Sequence, residues 1–324
     1  MKNVLRNKLL IIYHNFRGNM NIANPFISVI TPVYNDPEGL TDTLQSLVKQ
    51  DYPKESFEII VADNGSTDNT PGVAREFLQQ YPELIKIVIE DEIQSSYAAR
   101  NTGVKVAKGD IIAFIDADMS VENDWLERIS LSLKKNDADY LACNVKIYSE
   151  STSTSALYNQ LSGFPLEEYI NNRHFAPTCC LVVRKKIFNN VGNFDPNLIS
   201  SGDYEFGNRV HSSGYKLYYD PDIVMKHPAR SSYRQLMKKS FRIGRGFYQL
   251  SYHYPQLYHK MRLNITGSIS SKNKSWTLFT FRKENALWNE TSTVRKTKLY
   301  LIDLSNKIAK PVGYLYEKFL QKRS

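Results

Sequence analysis

The chain has 324 residues, room for two average domains or one large one with appendages. Its 42% hydrophobic and 23% charged residues make a globular composition, which excludes disorder, collagen-like sequence and a coiled coil. The net charge of +9 is unevenly spread: residues 1–225 carry 21 basic and 29 acidic side chains, a net of −8, while residues 226–324 carry 21 and 4, a net of +17.

Residues 1–24 are polar and mixed and read as a loose N-terminal arm. The apolar run Leu9–Tyr13 within them is too short for a spanning helix and lacks a cleavage pattern. Phe26–Ile30 reads as a buried strand closed by Thr31-Pro32. Glu38–Gln50 has helical spacing, with Leu40, Leu44, Leu47 and Val48 on one side. A second strand, Phe57–Ala62, runs into the turn cluster Asp63-Asn64-Gly65-Ser66. Thr70 is expected to cap a helix through Gln80, with Pro71 at its first position. A third strand covers Ile85–Glu90, a helix spans Tyr97–Ala107, and a fourth strand covers Ile111–Ile115. Strands alternating with helices predict an α/β fold with a doubly wound, mostly parallel sheet. Ligands of such sheets sit at the carboxyl ends of the strands, which points to the loops at Thr31, Asp63 and Asp116.

Past about residue 140 the alternation loosens. Tyr140–Tyr148 and Leu181–Val183 read as strands, and Tyr204–Ser212 as a helix stopped by Gly214-Tyr215. Residues 231–262 are basic and aromatic, 267–280 show little pattern, and 291–320 read as helical around an interruption at Pro311. No stretch approaches 18 apolar residues, so no membrane span is expected. Cys143, Cys179 and Cys180 make no disulfide framework and fit a reducing compartment.

The strongest chemical signal is Ile115-Asp116-Ala117-Asp118, two carboxylates just past a buried strand. Hard cations such as Mg²⁺ and Mn²⁺ take one or two carboxylates plus substrate phosphates. By itself a D-x-D is more often a solvated turn. Here two more strand-end loops accompany it, Thr31-Pro32-Val33-Tyr34-Asn35 and Asp63-Asn64-Gly65-Ser66-Thr67-Asp68, together with Ala99-Arg100-Asn101-Thr102-Gly103 and Ala107-Lys108-Gly109-Asp110. In this order the motifs resemble the family 2 glycosyltransferases, which have the GT-A fold; the resemblance spans roughly residues 26–230.

Carried over residue by residue, the resemblance implies that Asp63 lies against the base of a nucleotide-diphosphate sugar, with Pro32 and Tyr34 walling the pocket. Arg100 would approach the diphosphate or uridine, Asp116 the ribose or metal shell, and Asp118 would be the direct metal ligand. Many relatives carry two acids where this chain has Asp63-Asn64. In Ser200-Ser201-Gly202-Asp203-Tyr204-Glu205, Asp203 falls at the position of the catalytic base and Gly202 replaces the usual Glu. Glu205 is the alternative base; Asp203 is favoured because its spacing to Arg209 puts it at a helix start. His227 matches a position where several relatives keep a further metal ligand. The implied domains are a nucleotide-sugar half (25–120) and an acceptor half (121–230), followed by a basic, mostly helical region (231–324).

Arg242-Ile243-Gly244-Arg245-Gly246 does not match a dinucleotide-binding glycine motif; Arg242 and Arg245 read as phosphate contacts or as a solvated basic face. Over residues 295–323 apolar positions recur among lysines, the pattern of a basic amphipathic helix. Such a helix either lies on an anionic membrane or packs on the body with its lysines outward. No nucleic-acid module is present. The expected activity is inverting transfer of a sugar to a glycan or lipid-linked acceptor, in cell-surface glycan assembly on the cytoplasmic membrane face. The alternatives are a sugar-phosphate nucleotidyltransferase, whose Gly-rich first loop is missing here, and a catalytically idle nucleotide-sugar-binding scaffold.

Overall fold

The structure, a computed structural model, describes residues 24–270 and 286–322. The expected arm, apart from Asn24, and most of the pattern-poor stretch 267–280 lie outside the described residues. Strand β1 (Ile27–Val33) is buried at all seven positions. Ile27, Val29 and Val33 join one apolar core and Ile30 another, so the strand is covered on both faces. That double burial is why it reads as a continuous apolar run and not as an alternation. Helix α1 (Pro37–Val48) follows, capped by the Asp36 carboxylate, which accepts from the Gly39 N–H at 3.0 Å. Its buried Leu40, Leu44 and Leu47 face the sheet.

Strand β2 (Phe57–Asp63), helix α2 (Thr70–Gln80), strand β3 (Ile85–Ile89), helix α3 (Ser96–Val106) and strand β4 (Ile111–Phe114) complete a parallel half, ordered β3-β2-β1-β4. Thr70 does not cap α2. Asn69 holds the cap position, and the Thr70 hydroxyl instead accepts from the Asp36 N–H at 2.9 Å, tying α2 to the loop after β1.

The chain continues through β5 (Ser120–Val121), α4 (Trp125–Lys135), β6 (Tyr140–Tyr148), α5 (Thr154–Ser162), α6 (Leu166–Arg173), β7 (Leu181–Arg184), α7 (Lys186–Val191), α8 (Gly202–Ser212) and β8 (Leu217–Pro228). These extend one eight-stranded sheet, β3-β2-β1-β4-β7-β6-β8-β5. β7 runs antiparallel between β4 and β6, β6 and β8 are parallel, and β5 is antiparallel to β8. The register of β6 and β8 shifts between Cys143 and Asn144, where β8 carries extra residues. All three cysteines are buried free thiols.

Helices α9 (Tyr233–His253), α10 (Pro255–Ser270), α11 (Ala286–Asn289) and α12 (Thr293–Gln321) follow. α9 and α12 cross closely: a Cβ on Gly244 would overlap the Lys310 carbonyl oxygen, and one on Gly313 the Phe241 carbonyl oxygen. α12 runs unbroken through Pro311. Proline costs a helix one backbone bond, and here α9 holds both sides of it. Ser240 donates to Asn306 at 2.5 Å before the proline, and Arg245 pairs with Glu317 at 2.6 Å after it.

Candidate active site

The parallel strands deliver their loops to one edge of the sheet. Asp63 ends β2 opposite Val33, is buried, and accepts from the Ser66 N–H at 3.1 Å. Pro32 pairs with Ala62 in the adjacent strand, and Tyr34 stands half-exposed just beyond. Asn64 is a fastener: its amide donates to the carbonyls of Glu90 and Ile93, both at 2.9 Å, and accepts from Gln94 at 3.2 Å. The loop after β3 is thereby locked to the loop after β2.

The D-x-D turn is fixed from α1, where the Thr43 hydroxyl donates to the Met119 carbonyl at 2.7 Å. β4 ends before the pair, so the two carboxylates do not share a strand face. Asp116 accepts from Arg100 Nη2 at 2.5 Å, and Arg100 is 3% exposed. Asp118 lies in the field of His227 on β8 and of Arg230. Burial raises its carboxyl above the ordinary aspartate range, the positive fields of His227 and Arg230 oppose the shift, and Asp116 adds to it. Among the described residues no hydrogen bond or ion pair occupies the Asp118 carboxylate. His227 is buried, with Nδ1 2.7 Å from the Pro228 carbonyl oxygen.

Asp203 lies in the first turn of α8, which Ser201 enters with a left-handed φ of 70°. The Tyr97 hydroxyl accepts from the N–H groups of Gly202, at 3.0 Å, and Asp203, at 3.3 Å. Gly202, the departure noted in the sequence, is dictated by this contact, since a Cβ there would overlap the Tyr97 ring. Burial raises the Asp203 carboxyl, opposed by the Tyr204 N–H and the charges of Arg100 and Arg242. Tyr97 and Arg100 are three apart on α3, so one helix face joins the Asp116 turn to the Asp203 turn.

Glu205 is engaged elsewhere. It is buried in a bidentate pair with Arg209, at 2.7 and 2.8 Å, and Arg209 also donates to the carbonyls of Val191 and Asn193. Arg245 is likewise engaged, held by Glu317 on α12, so its guanidinium ties two helices together. Arg242 is exposed and lies in the electrostatic range of Asp203.

Sequence reading missed Tyr97, Arg230, Lys239 and Lys310. Lys239 lies in the electrostatic range of Arg230, Arg242 and Lys310, and among the described residues none of the four has a side-chain hydrogen bond or ion pair. Burial, with the charges of Arg230 and Arg242, lowers the Lys239 ammonium to about 7. Its Nζ sits 5.3 Å over the Phe164 ring, which lies 6.3 Å from the ring of His227 and lines a cavity of about 630 Å³ with Tyr148, Gln160 and Glu167. The available signal was spacing: Lys239 precedes Arg242 by three residues on one helix, and Arg230 follows His227 by three.

Residues 28–192 match the family model described as glycosyl transferase family 2. This chain belongs to that family. The matched segment holds Asp63, Arg100 and the D-x-D pair and ends before Asp203 and His227. The glycosyltransferase is 40% identical over 232 residues to glycosyltransferase AglE of Haloferax volcanii, covering 71% of this chain and 76% of that one. It is 30% identical over 264 residues to the dolichyl N-acetyl-alpha-D-glucosaminyl phosphate 3-beta-D-2,3-diacetamido-2,3-dideoxy-beta-D-glucuronosyltransferase of Methanococcus voltae, covering 75% and 82%. Its fold resembles mannosyltransferase PcManGT from Pyrobaculum calidifontis, solved with GDP-Man and Mn²⁺, with a TM-score of 0.63 at 19% identity over 96% of this chain and 95% of that one. S. aureus TarS 1–349, solved with UDP-GlcNAc, gives a TM-score of 0.52 at 18% identity over 92% of each chain. The glycosyltransferase thus has the GT-A fold. Among the described residues no three His, Cys, Asp or Glu side chains gather into a metal cage. The Asp118 carboxylate, which no hydrogen bond or ion pair occupies among the described residues, fits the kind of hard-cation site that uses one or two carboxylates together with substrate phosphates.

Proposed function

We propose that this glycosyltransferase transfers its sugar with inversion, Asp203 acting as base and Asp118 holding Mg²⁺ or Mn²⁺ with help from His227. The observation that carries this reading is the α3 face, on which Arg100 pairs with Asp116 while Tyr97 fastens the turn of Asp203. The donor and base regions of this reading are therefore braced by one rigid element. A bound divalent cation supplies charge neutralisation to the departing diphosphate. The acceptor hydroxyl gives its proton to the Asp203 carboxylate as its oxygen bonds to the anomeric carbon. The bond from that carbon to the diphosphate breaks on the opposite face, and a nucleoside diphosphate leaves. A raised carboxyl pKa suits a base, since proton transfer is most effective when the pKa lies near the working pH. Asp63, Pro32 and Tyr34 wall the base of the nucleotide.

The unpartnered cations Arg230, Lys239, Arg242 and Lys310 support an acceptor that itself carries phosphate, as a lipid-linked glycan does, with its sugar end toward the Phe164 cavity. The work site is then the cytoplasmic face of a membrane. Thermal-shift titration with UDP- and GDP-sugars and Mn²⁺ tests the reading. One donor should stabilise the wild type in a metal-dependent way and fail to stabilise Asp118→Ala. Equal, metal-independent shifts in both proteins would overturn it.

A further inference from the structure

Helix α12 is built inside out. Its buried face carries Asp303, Asn306 and Glu317 beside Leu299, Ile302 and Gly313. The two acids are matched: Tyr158 donates to Asp303 at 2.9 Å and Lys307 pairs with it at 2.8 Å, while Arg245 and Gln249 donate to Glu317 at 2.6 and 3.0 Å. Asn306 is partly matched: Ser240 donates to it at 2.5 Å, and its buried amide nitrogen has no hydrogen-bond partner among the described residues. The opposite face carries Val294, Leu301, Leu304, Ile308, Val312 and Leu315, each between 48 and 70% exposed. Their spacing follows the helical period along about 32 Å of axis. A helix that faces water normally has the reverse arrangement. Polar pairs and glycine contacts inward, with large apolar side chains outward, suit a helix whose outer neighbour is not water.

The charges say what that neighbour is. Both acidic residues of α12 are turned inward, Asp303 at 1% exposure and Glu317 at 4%, while Lys298, Lys318 and Lys322 are exposed. A second copy docking this stripe on itself about a two-fold axis would bring lysines together with no acid from either helix to offset them. An anionic lipid surface meets both the apolar stripe and the lysines. No helix among the described residues is long and apolar enough to cross a membrane, so contact is along the surface. We infer that the outer face of α12 lies in the interface of an anionic bilayer, its stripe among the acyl chains and its lysines at the headgroups. Lys310 links this helix to the cations beside the cleft, so docking brings the cleft to lipid-borne substrates. The last step rests on the acceptor proposed above; membrane docking itself does not.

Co-sedimentation of the full chain with phosphatidylcholine vesicles, with and without phosphatidylglycerol, tests the inference. The wild type should sediment with the anionic vesicles and little with the neutral ones. Ile308→Asp combined with Leu315→Asp should weaken that binding by on the order of tenfold or more. Lys298→Ser, Lys318→Ser and Lys322→Ser together should remove the preference for anionic lipid. Circular dichroism melts confirm that each variant is folded. Unchanged binding of the double variant, no binding by the wild type, or wild-type self-association abolished by the double variant would each overturn the inference. Metal-dependent donor hydrolysis without vesicles reports on the catalytic reading alone; it should be the same in the wild type and the double variant.

Discussion

The sheet domain and the C-terminal helix pair solve burial in opposite ways. In the sheet, β1 and α1 bury apolar residues, and carboxylates gather where strands end. In the α9–α12 pair the acids are buried in matched contacts, and a stripe of large apolar residues on α12 faces out. One region is organised around water and a charged ligand at its rim. The other is organised around a low-dielectric neighbour. The net charges of −8 and +17 follow the same division.

The comparison breaks first at Asp203. Asp203→Asn should lower turnover by about 10²–10⁴-fold with donor affinity retained, measured by steady-state transfer and donor calorimetry. Because burial raises this carboxyl and the base acts deprotonated, wild-type activity should fall as pH drops through a value above the ordinary aspartate range. Asp118→Ala should cost at least about tenfold in Mn²⁺-dependent affinity for a nucleoside diphosphate. For stability, Leu44→Ala in the sheet domain should cost about 2–5 kcal/mol in denaturant unfolding. Leu315→Ser on the outer face of α12 should change stability in water by about 0.5 kcal/mol or less. Equal costs would erase the distinction between the regions. Gly313→Ala should cost about 1–3 kcal/mol, since the new methyl meets the Phe241 carbonyl oxygen.

One modest effect carries an informative sign. Lys239 has a folded-state pKa of about 7, below the 10.5 of the free side chain. Between those values the unfolded chain binds the extra proton, so the ligand-free protein should gain stability as pH rises from about 7 toward 10.5. Lys239→Met should abolish that gain and raise stability at neutral pH by on the order of 1 kcal/mol. The same change should weaken binding of a phosphate-bearing acceptor.

Much of this was legible from local pattern. Continuous apolar runs marked β1, β2 and β4, because buried strands leave little room for polar side chains. Turn residues after them marked the loops of Asp63 and Asp116. β8 was missed because half-buried, irregular strands have no period to detect, and His227 was reached through resemblance alone. The D-x-D pair was read just past a buried strand, as found, but its turn sends Asp116 to Arg100 and leaves Asp118 in the field of His227, which no local pattern shows.

The sequence by itself determined the parallel half of the sheet and the residue types at the strand ends, because these follow from short-range periodicity and turn chemistry, and the resemblance of its motifs pointed to the family. It also showed that the last hundred residues hold more than the whole excess of positive charge. Only the tertiary structure decided which acids are engaged. Glu205 and Glu317 are held by arginines, and Asp118 is not, a matter of which helix packs on which. It also decided that the apolar side of α12 faces outward, because the alternation of lysines and leucines is the same whichever side of the helix meets the body.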